Sequence, residues 1–193
     1  MKISQLLSFP NQLTLLRMVF LPFVVINMLN GRYKWALILF VIAGVTDALD
    51  GLLARTLKQQ TMLGQYLDPI ADKLLLSTMF LVLAILHKIP WKFTVLVFSR
   101  DISILCASAV LYAIAGLRDF RPSIFGKANT FAQVAAVFFV LLLQVEPERW
   151  VSIARITFLR ATFTFTILSG LHYIYLVGKR LHPQDQESPP QSI

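Results

Sequence analysis

The chain has 193 residues, of which 56% are hydrophobic and only 15% are charged, and its mean hydropathy is +0.67. This composition is too apolar for an ordinary soluble domain and predicts an integral membrane protein. The formal net charge of +8 favours anionic lipid headgroups and phosphorylated substrates as partners, and we expect no nucleic-acid partner.

Six apolar stretches are long enough to cross about 30 Å of hydrocarbon as helices, which takes roughly 20 residues each. We place them at about residues 10–29, 34–54, 68–87, 90–116, 122–145 and 158–178. Gly, Pro and charged residues separate them, which is typical of helix ends at a membrane interface. The sequence therefore predicts an all-α integral membrane protein with six transmembrane helices.

The domain organisation is predicted to be simple. Residues 1–9 are interpreted as a short interfacial segment, residues 10–180 as one membrane domain and residues 181–193 as a polar disordered tail. With six spans both termini lie on one side of the membrane. The predicted loops on that side carry slightly more Lys and Arg than the opposite loops, which favours the cytoplasm for the termini.

Four aspartates lie close together where the second and third predicted helices meet: Asp47, Asp50, Asp68 and Asp72. The uncharged part of the second stretch covers only residues 35–46, so that helix must include two of the aspartates to complete a span. The spacings i, i+3 and i, i+4 place each pair on one face of its helix. We therefore expect all four carboxylates at membrane depth, near one face of the bilayer.

Four negative charges at this depth repel one another strongly unless they are protonated or neutralised. Only Arg55 and Lys73 are cations close by in sequence, and they leave a deficit. Divalent cations would fill it, and hard Mg²⁺ or Mn²⁺ suits a set of carboxylate oxygens. The small residues Gly51 and Ala54 lie on the same helical face as Asp47 and would allow a ligand to approach closely.

Other interpretations of the aspartates are an ion or proton pathway, a structural polar network and an intramembrane prenyltransferase. Burying four like charges for packing alone is costly. A prenyltransferase would be expected to carry a second Asp-rich motif in the other half of the chain, whereas residues 128–178 contain no Asp.

The aspartates belong to a longer pattern, Asp47-x2-Asp50-Gly51-x2-Ala54-Arg55-x8-Gly64-x3-Asp68-x3-Asp72. Every fixed position of this pattern matches the signature of the CDP-alcohol phosphatidyltransferases, so the chain resembles that family. The segments "PNQLTLLR" and "PSIFGKANTFAQ" are similar to segments of its bacterial phosphatidylglycerophosphate synthases and their relatives. The family's six-helix membrane fold agrees with the helices predicted above.

The resemblance implies a reaction and a metal centre. In this family the hydroxyl of an alcohol attacks the lipid-side phosphate of CDP-diacylglycerol or a related lipid, and CMP leaves. The family pattern implies two divalent ions, Mg²⁺ or Mn²⁺, one held by Asp47, Asp50 and Asp68 and the other by Asp47, Asp68 and Asp72. It also implies that Asp72 is the general base.

The resemblance further implies residues that contact the CDP-lipid. Gly51, Arg55 and Thr61 match positions with that role, and Asn11 is expected near the nucleotide. We expect the protein in the bacterial inner (cytoplasmic) membrane, in contact with membrane lipids and with its active site facing the cytoplasm. The resemblance is also compatible with a homodimer.

The acceptor alcohol predicted from the resemblance is glycerol 3-phosphate. The segment "SRDISILCASAVLY", with Asp101 after Arg100, is closer to the single-domain cardiolipin synthases, so phosphatidylglycerol is the alternative and inositol phosphate a third. Candidates for binding the acceptor phosphate are Lys73, Arg100 and Lys127. For Arg100 the alternative is a neutral pair with Asp101, and for the lysines it is extension of the side chain to the interface.

Overall fold

The structure, a computed structural model, describes the backbone of residues 9–56, 62–115 and 124–181 and the side chains of residues 18–46, 73–103 and 126–171. This part of the chain forms six helices: α1 (Phe9–Leu29), α2 (Tyr33–Thr56), α3 (Met62–Ile85), α4 (Trp91–Ala115), α5 (Ile124–Val145) and α6 (Arg149–Leu181). The prediction of an all-helical protein with six helices is confirmed. The predicted interfacial segment and polar tail lie almost wholly outside the described residues.

Two helices begin earlier than their apolar stretches predicted. Helix α3 begins at Met62, not near residue 68, and α6 begins at Arg149, not near residue 158. The connection before α6 is only residues 146–148, and the backbone N–H of Ser152 already donates to the carbonyl oxygen of Glu148 at 3.1 Å. Charged residues bound an apolar stretch, but they do not end a helix, because a helix can continue into the polar interface.

Two of the tight turns end their helices with the same hydrogen-bond pattern. After α1, the N–H of Arg32 donates to the carbonyl of Asn27 at 2.8 Å, and Gly31 adopts a φ of 69°. After α3, the N–H of Lys88 donates to the carbonyl of Leu83 at 2.8 Å, and His87 adopts a φ of 56°. Both are Schellman caps with a left-handed residue after the helix, and they make α1–α2 and α3–α4 antiparallel pairs.

The helices pack around one apolar core. Helix α1 packs against α2 and α3, helix α5 packs against α2, α3 and α6, and helix α4 packs against α3 and α6. Each of the six contributes fully or nearly fully buried side chains to this core, among them Val24, Met28, Phe40, Met79, Phe80, Leu83, Val97, Val137, Leu141 and Leu159.

The described part of the bundle exposes many large apolar side chains and also buries several polar ones. Large apolar side chains are exposed on every helix, for example Phe23, Trp35, Val95, Phe131 and Ile153. Charged and polar side chains are buried in the interior, including Arg100, Asp101, Asn129, Gln133, Thr162, Thr166 and Ser169. Exposed apolar side chains are typical of a bundle that contacts lipid, and polar side chains buried beside an apolar core are typical of a functional site within such a bundle.

Two described stretches are long and apolar enough to cross a membrane, namely Gly126–Val145 and Arg149–Leu171. Shorter apolar stretches are Met18–Leu29, Tyr33–Thr46 and Lys73–Ile85. Each of these three continues as helix into residues whose side chains the structure does not describe. The length criterion alone therefore supports two spans within the described side chains.

Candidate active site

The aspartates of the motif occupy continuous helical backbone. Asp47 and Asp50 lie in the last part of α2, and Asp68 and Asp72 lie in the first part of α3. The helical spacing that predicted a shared face for each pair is therefore retained. All four side chains lie outside the described side chains, so their roles as metal ligands and base stay predictions.

The donor set itself fits Mg²⁺ or Mn²⁺, because four carboxylates supply only hard oxygen ligands. Within the side chains that the structure describes, no group of three or more His, Cys, Asp or Glu residues could hold a metal ion. The aspartate motif therefore stays the predicted binding site for divalent ions.

Three of the four residues expected to contact the CDP-lipid lie at helix ends, at the end of α2 and at the start of α1. Gly51 and Arg55 belong to the last two turns of α2 and Asn11 to the first turn of α1, with side chains outside the described set. Thr61 lies outside the described residues. These assignments stay predictions.

Two of the three acceptor candidates meet at one carboxylate. Lys73 of α3 donates to Oδ1 of Asp101 in α4, and Nη1 of Arg100 donates to the same oxygen at 2.7 Å. Relative exposure is 38% for the Lys73 side chain, 9% for Arg100 and 12% for Asp101. Two cations therefore share one anion inside the bundle, and the cluster carries a formal charge of +1.

The cluster is fixed to a third helix through Arg100. Nη2 of Arg100 donates to the hydroxyl of Ser169 in α6 at 3.2 Å, and Ser169 is fully buried. The Nε of Arg100 is buried and has no hydrogen-bond partner in the described part of the chain. The Arg100–Asp101 pair considered as an alternative does exist, but Lys73 joins it, so the whole is positively charged. We call Lys73, Arg100 and Asp101 the cationic cluster.

Lys127, the third candidate, does not join this cluster. It is exposed in the first turn of α5 and makes no ion pair with any residue that the structure describes. Its exposure leaves its charge available to a ligand or to the membrane interface.

Sequence reasoning missed a second polar contact, between α5 and α6. The hydroxyl of Thr166 donates to Oδ1 of Asn129 at 3.0 Å, and both residues are buried. Thr166 lies in "TFTFT", where Thr162 is also buried while Phe163 is exposed. Polar residues recur three or four positions apart in both apolar helices, and this spacing predicts a polar face on each helix. It does not predict which helix that face contacts.

Four helices surround these polar groups. Helix α3 packs against α4 and α5, and α6 packs against the same two helices. Polar contacts bridge α3 to α4, α4 to α6 and α6 to α5. Lys73 directly follows Asp72, the predicted base, in the sequence of α3. The described part of the chain is thus a helical bundle with an apolar exterior and an apolar core that contains the cationic cluster, and the predicted metal motif lies on α2 and α3.

Comparison with known proteins identifies the class of this bundle. The sequence model of the family described as CDP-alcohol phosphatidyltransferase matches residues 7–169. This match covers most of the chain and includes the aspartate motif and the cationic cluster. The chain belongs to the CDP-alcohol phosphatidyltransferase family, a membrane family, and is an enzyme of that class.

Individual relatives are similar over most of their length. A CDP-diacylglycerol--glycerol-3-phosphate 3-phosphatidyltransferase of Sodalis glossinidius is 35% identical over 176 residues, covering 88% of this chain and 94% of its own. The enzyme of the same name from Bacillus subtilis is 33% identical over 185 residues, covering 86% and 93%. A Mycobacterium tuberculosis protein provisionally named as a cardiolipin synthase is 32% identical over 145 residues, covering 75% and 69%.

Proposed function

We propose that the protein transfers the phosphatidyl group of CDP-diacylglycerol to glycerol 3-phosphate, forming phosphatidylglycerophosphate and releasing CMP. The observation that carries the choice of acceptor is the cationic cluster, which places a net positive charge inside the bundle directly after Asp72. The names of the Sodalis and Bacillus relatives support the same acceptor.

The charge of the cluster favours one of the two leading acceptors. The phosphate of glycerol 3-phosphate is a monoester that is close to dianionic at neutral pH, whereas phosphatidylglycerol carries a singly charged phosphodiester. A surplus cation stabilises the dianionic monoester more, because the Coulomb attraction grows with the charge on the phosphate. The buried Nε of Arg100, which has no partner among the described residues, provides one such donor. Phosphatidylglycerol stays the second candidate; the name of the M. tuberculosis relative supports it, and so does Asp101 after Arg100, the feature that resembles the cardiolipin synthases.

In the proposed reaction a hydroxyl oxygen of the acceptor forms a bond to the lipid-side phosphorus, and the bond from that phosphorus to the CMP oxygen breaks. Asp72 accepts the hydroxyl proton, which requires its carboxylate to be deprotonated. Arg55 binds the diphosphate, and Lys73 with Arg100 binds and orients the acceptor phosphate. Two divalent ions held by Asp47, Asp50, Asp68 and Asp72 would neutralise charge on the diphosphate and on the leaving CMP.

We also propose that all six helices span the bilayer, with the aspartate motif facing the cytoplasm at the bacterial inner membrane. Exposed apolar side chains on every helix support the six spans. The Lys and Arg bias of the loops supports the orientation. A homodimer stays a prediction.

The proposed acceptor is tested by CMP release from CDP-diacylglycerol with the purified protein in Mg²⁺. Glycerol 3-phosphate, phosphatidylglycerol, inositol phosphate and serine are supplied one at a time. We expect CMP release with glycerol 3-phosphate and little with the other three. Release with phosphatidylglycerol alone would assign the second function, and release with inositol phosphate alone would assign the third.

Lys127 is proposed to attract the acceptor phosphate at the entrance to this interior. Replacing it with Gln is expected to raise KM for glycerol 3-phosphate by at least about ten-fold, because losing a charge-assisted hydrogen bond costs roughly 1.5 to 3 kcal/mol. The KM for CDP-diacylglycerol should change much less. Steady-state kinetics with each substrate varied in turn measures both constants.

The matched control is Lys92→Gln. Lys92 is also exposed, and it lies at the start of α4. Because α3 and α4 are antiparallel, the start of α4 lies beside the end of α3, which is far from Asp72. Equal effects of the two substitutions on the acceptor KM would show that Lys127 acts only through general surface charge.

A further inference from the structure

Three tight turns of the bundle lie at the end opposite to the aspartate motif. They cover residues 30–32, 86–90 and 146–148, and they join α1 to α2, α3 to α4 and α5 to α6. The aspartates lie instead in the last part of α2 and the first part of α3. We call the end formed by the three turns the turn end.

Contacts between helices show that the three turns share this end. Nζ of Lys88 in the second turn lies 5.2 Å from the ring centre of the first residue of α2. Near the start of α4, the ring of Phe93 contacts that of Phe163 in α6, and further along both helices Arg100 donates to Ser169. Helices α4 and α6 therefore run in the same direction and begin at the same end.

Every tryptophan of the chain lies at the turn end. Trp35, Trp91 and Trp150 lie in the first turns of α2, α4 and α6, and they are 60%, 48% and 57% exposed. The sequence contains no other Trp. Tryptophan is enriched where membrane helices meet the headgroup layer, because its ring is apolar and its indole N–H is polar. The three rings therefore indicate the depth of the lipid headgroups at this end.

The turn end also carries a surplus of positive charge. Its carboxylates are Glu146 and Glu148, and its six cations are Arg32, Lys34, Lys88, Lys92, Arg149 and Arg155. None of the six cations forms an ion pair with a residue that the structure describes. The formal charge of this end is therefore +4, without a counter-charge from the described part of the bundle.

Arg155 shows that the described residues do not satisfy these cations. It lies on the same face of α6 as the buried side chains of Val151 and Leu159, four positions to either side. Its Nε is buried and has no hydrogen-bond partner in the described part of the chain. Side chains of a helix point back toward its start, so the guanidinium extends toward the turn end. Because buried donors are almost always hydrogen-bonded, an acceptor from a ligand would complete this group.

From this arrangement we infer that the turn end binds the headgroup phosphates of anionic phospholipids, in the leaflet opposite to the active site. A cytoplasmic active site places the turn end at the outer face, where Lys and Arg are the less frequent residues, so six cations there require a separate reason. Zwitterionic headgroups would leave the surplus charge unbalanced, whereas anionic headgroups neutralise it. The inference rests on the proposed six spans and not on the choice of acceptor.

Tryptophan fluorescence tests this inference locally, because all three fluorophores lie at the turn end. The purified protein is reconstituted, without CDP-diacylglycerol, into phosphatidylcholine bilayers with a fixed minor fraction of brominated phosphatidylglycerol or brominated phosphatidylcholine. Bromine high in the acyl chains quenches only nearby rings. We expect the anionic quencher to be at least about two-fold more effective, because basic residues near the headgroups attract anionic lipid. Added salt should bring this quenching ratio toward one, since ions screen the attraction.

The double variant Arg149→Gln with Arg155→Gln should also bring the quenching ratio toward one. Arg149→Lys with Arg155→Lys keeps both charges and should preserve the ratio. CMP release should stay at the wild-type level in both double variants. Lys127→Gln is the matched control, because it removes a cation at the start of α5, the opposite end of the bundle, and it should keep the wild-type ratio.

The outcomes separate this inference from the proposed function. Absence of quenching by either lipid would contradict the proposed six spans. Equal quenching by the two lipids in the wild type, or an unchanged ratio in the double Gln variant, would overturn the inference alone. Equal losses in the double Gln variant and in Lys127→Gln would also overturn it, because they would assign the attraction to the net charge of the whole protein.

Discussion

Asp72→Asn is expected to abolish CMP release, lowering kcat by about 10²-fold to 10⁴-fold, the usual contribution of a general base. The amide keeps the shape of the carboxylate but cannot accept the proton of the attacking hydroxyl. Binding of CDP-diacylglycerol should be largely retained, because the other three aspartates and Arg55 remain. CMP release and equilibrium binding of CDP-diacylglycerol, measured on the same preparation, check both statements.

Glu148→Gln makes the same chemical change at an exposed carboxylate in the α5–α6 connection, and it should leave both quantities at the wild-type level. Normal turnover by Asp72→Asn would exclude Asp72 as the base.

Removal of divalent ions is the second change with a large expected effect. Four carboxylates within residues 47–72 have only Arg55 and Lys73 as nearby cations in sequence. In the described part of the chain Lys73 pairs with Asp101, and the cluster that they form with Arg100 adds a net charge of only +1, so the aspartates keep an excess of negative charge. An excess of chelator should abolish CMP release and weaken CDP-diacylglycerol binding, and added Mg²⁺ or Mn²⁺ should restore both.

The control for this experiment is the same chelator saturated with Mg²⁺, which should have no effect. Full activity with excess free chelator would contradict the metal centre. Loss of activity without any change in CDP-diacylglycerol binding would place the ions in catalysis but not in binding the diphosphate.

The fold could be predicted to a large extent because its signal is local. The requirement for about 20 apolar residues per span located all six helices. The starts of α3 and α6 were missed because residues at a membrane interface, such as Arg149 and Gln65, are compatible with either a loop or the polar end of a helix. Composition does not distinguish these two states, whereas backbone hydrogen bonding does.

The site was predictable only in part because its contacts join distant residues. Charge in an apolar helix singled out Lys73 and Arg100, and adjacency in sequence suggested the pair with Asp101. Nothing in the sequence indicated that Lys73, 28 positions before Asp101, would share the same oxygen. Asn129 and Thr166 are 37 positions apart and uncharged, so each was compatible with ordinary packing until its partner was known.

Incorporation of isotope-labelled glycerol 3-phosphate into lipid tests the proposed reaction most directly. The purified protein is incubated with CDP-diacylglycerol, Mg²⁺ and the labelled acceptor, and the label in extracted lipid is compared with the CMP released. We expect the two in equal amounts, with the label in phosphatidylglycerophosphate and none without CDP-diacylglycerol. Label that stays in the aqueous phase, while phosphatidylglycerol supports CMP release and cardiolipin formation, would contradict glycerol 3-phosphate as the acceptor.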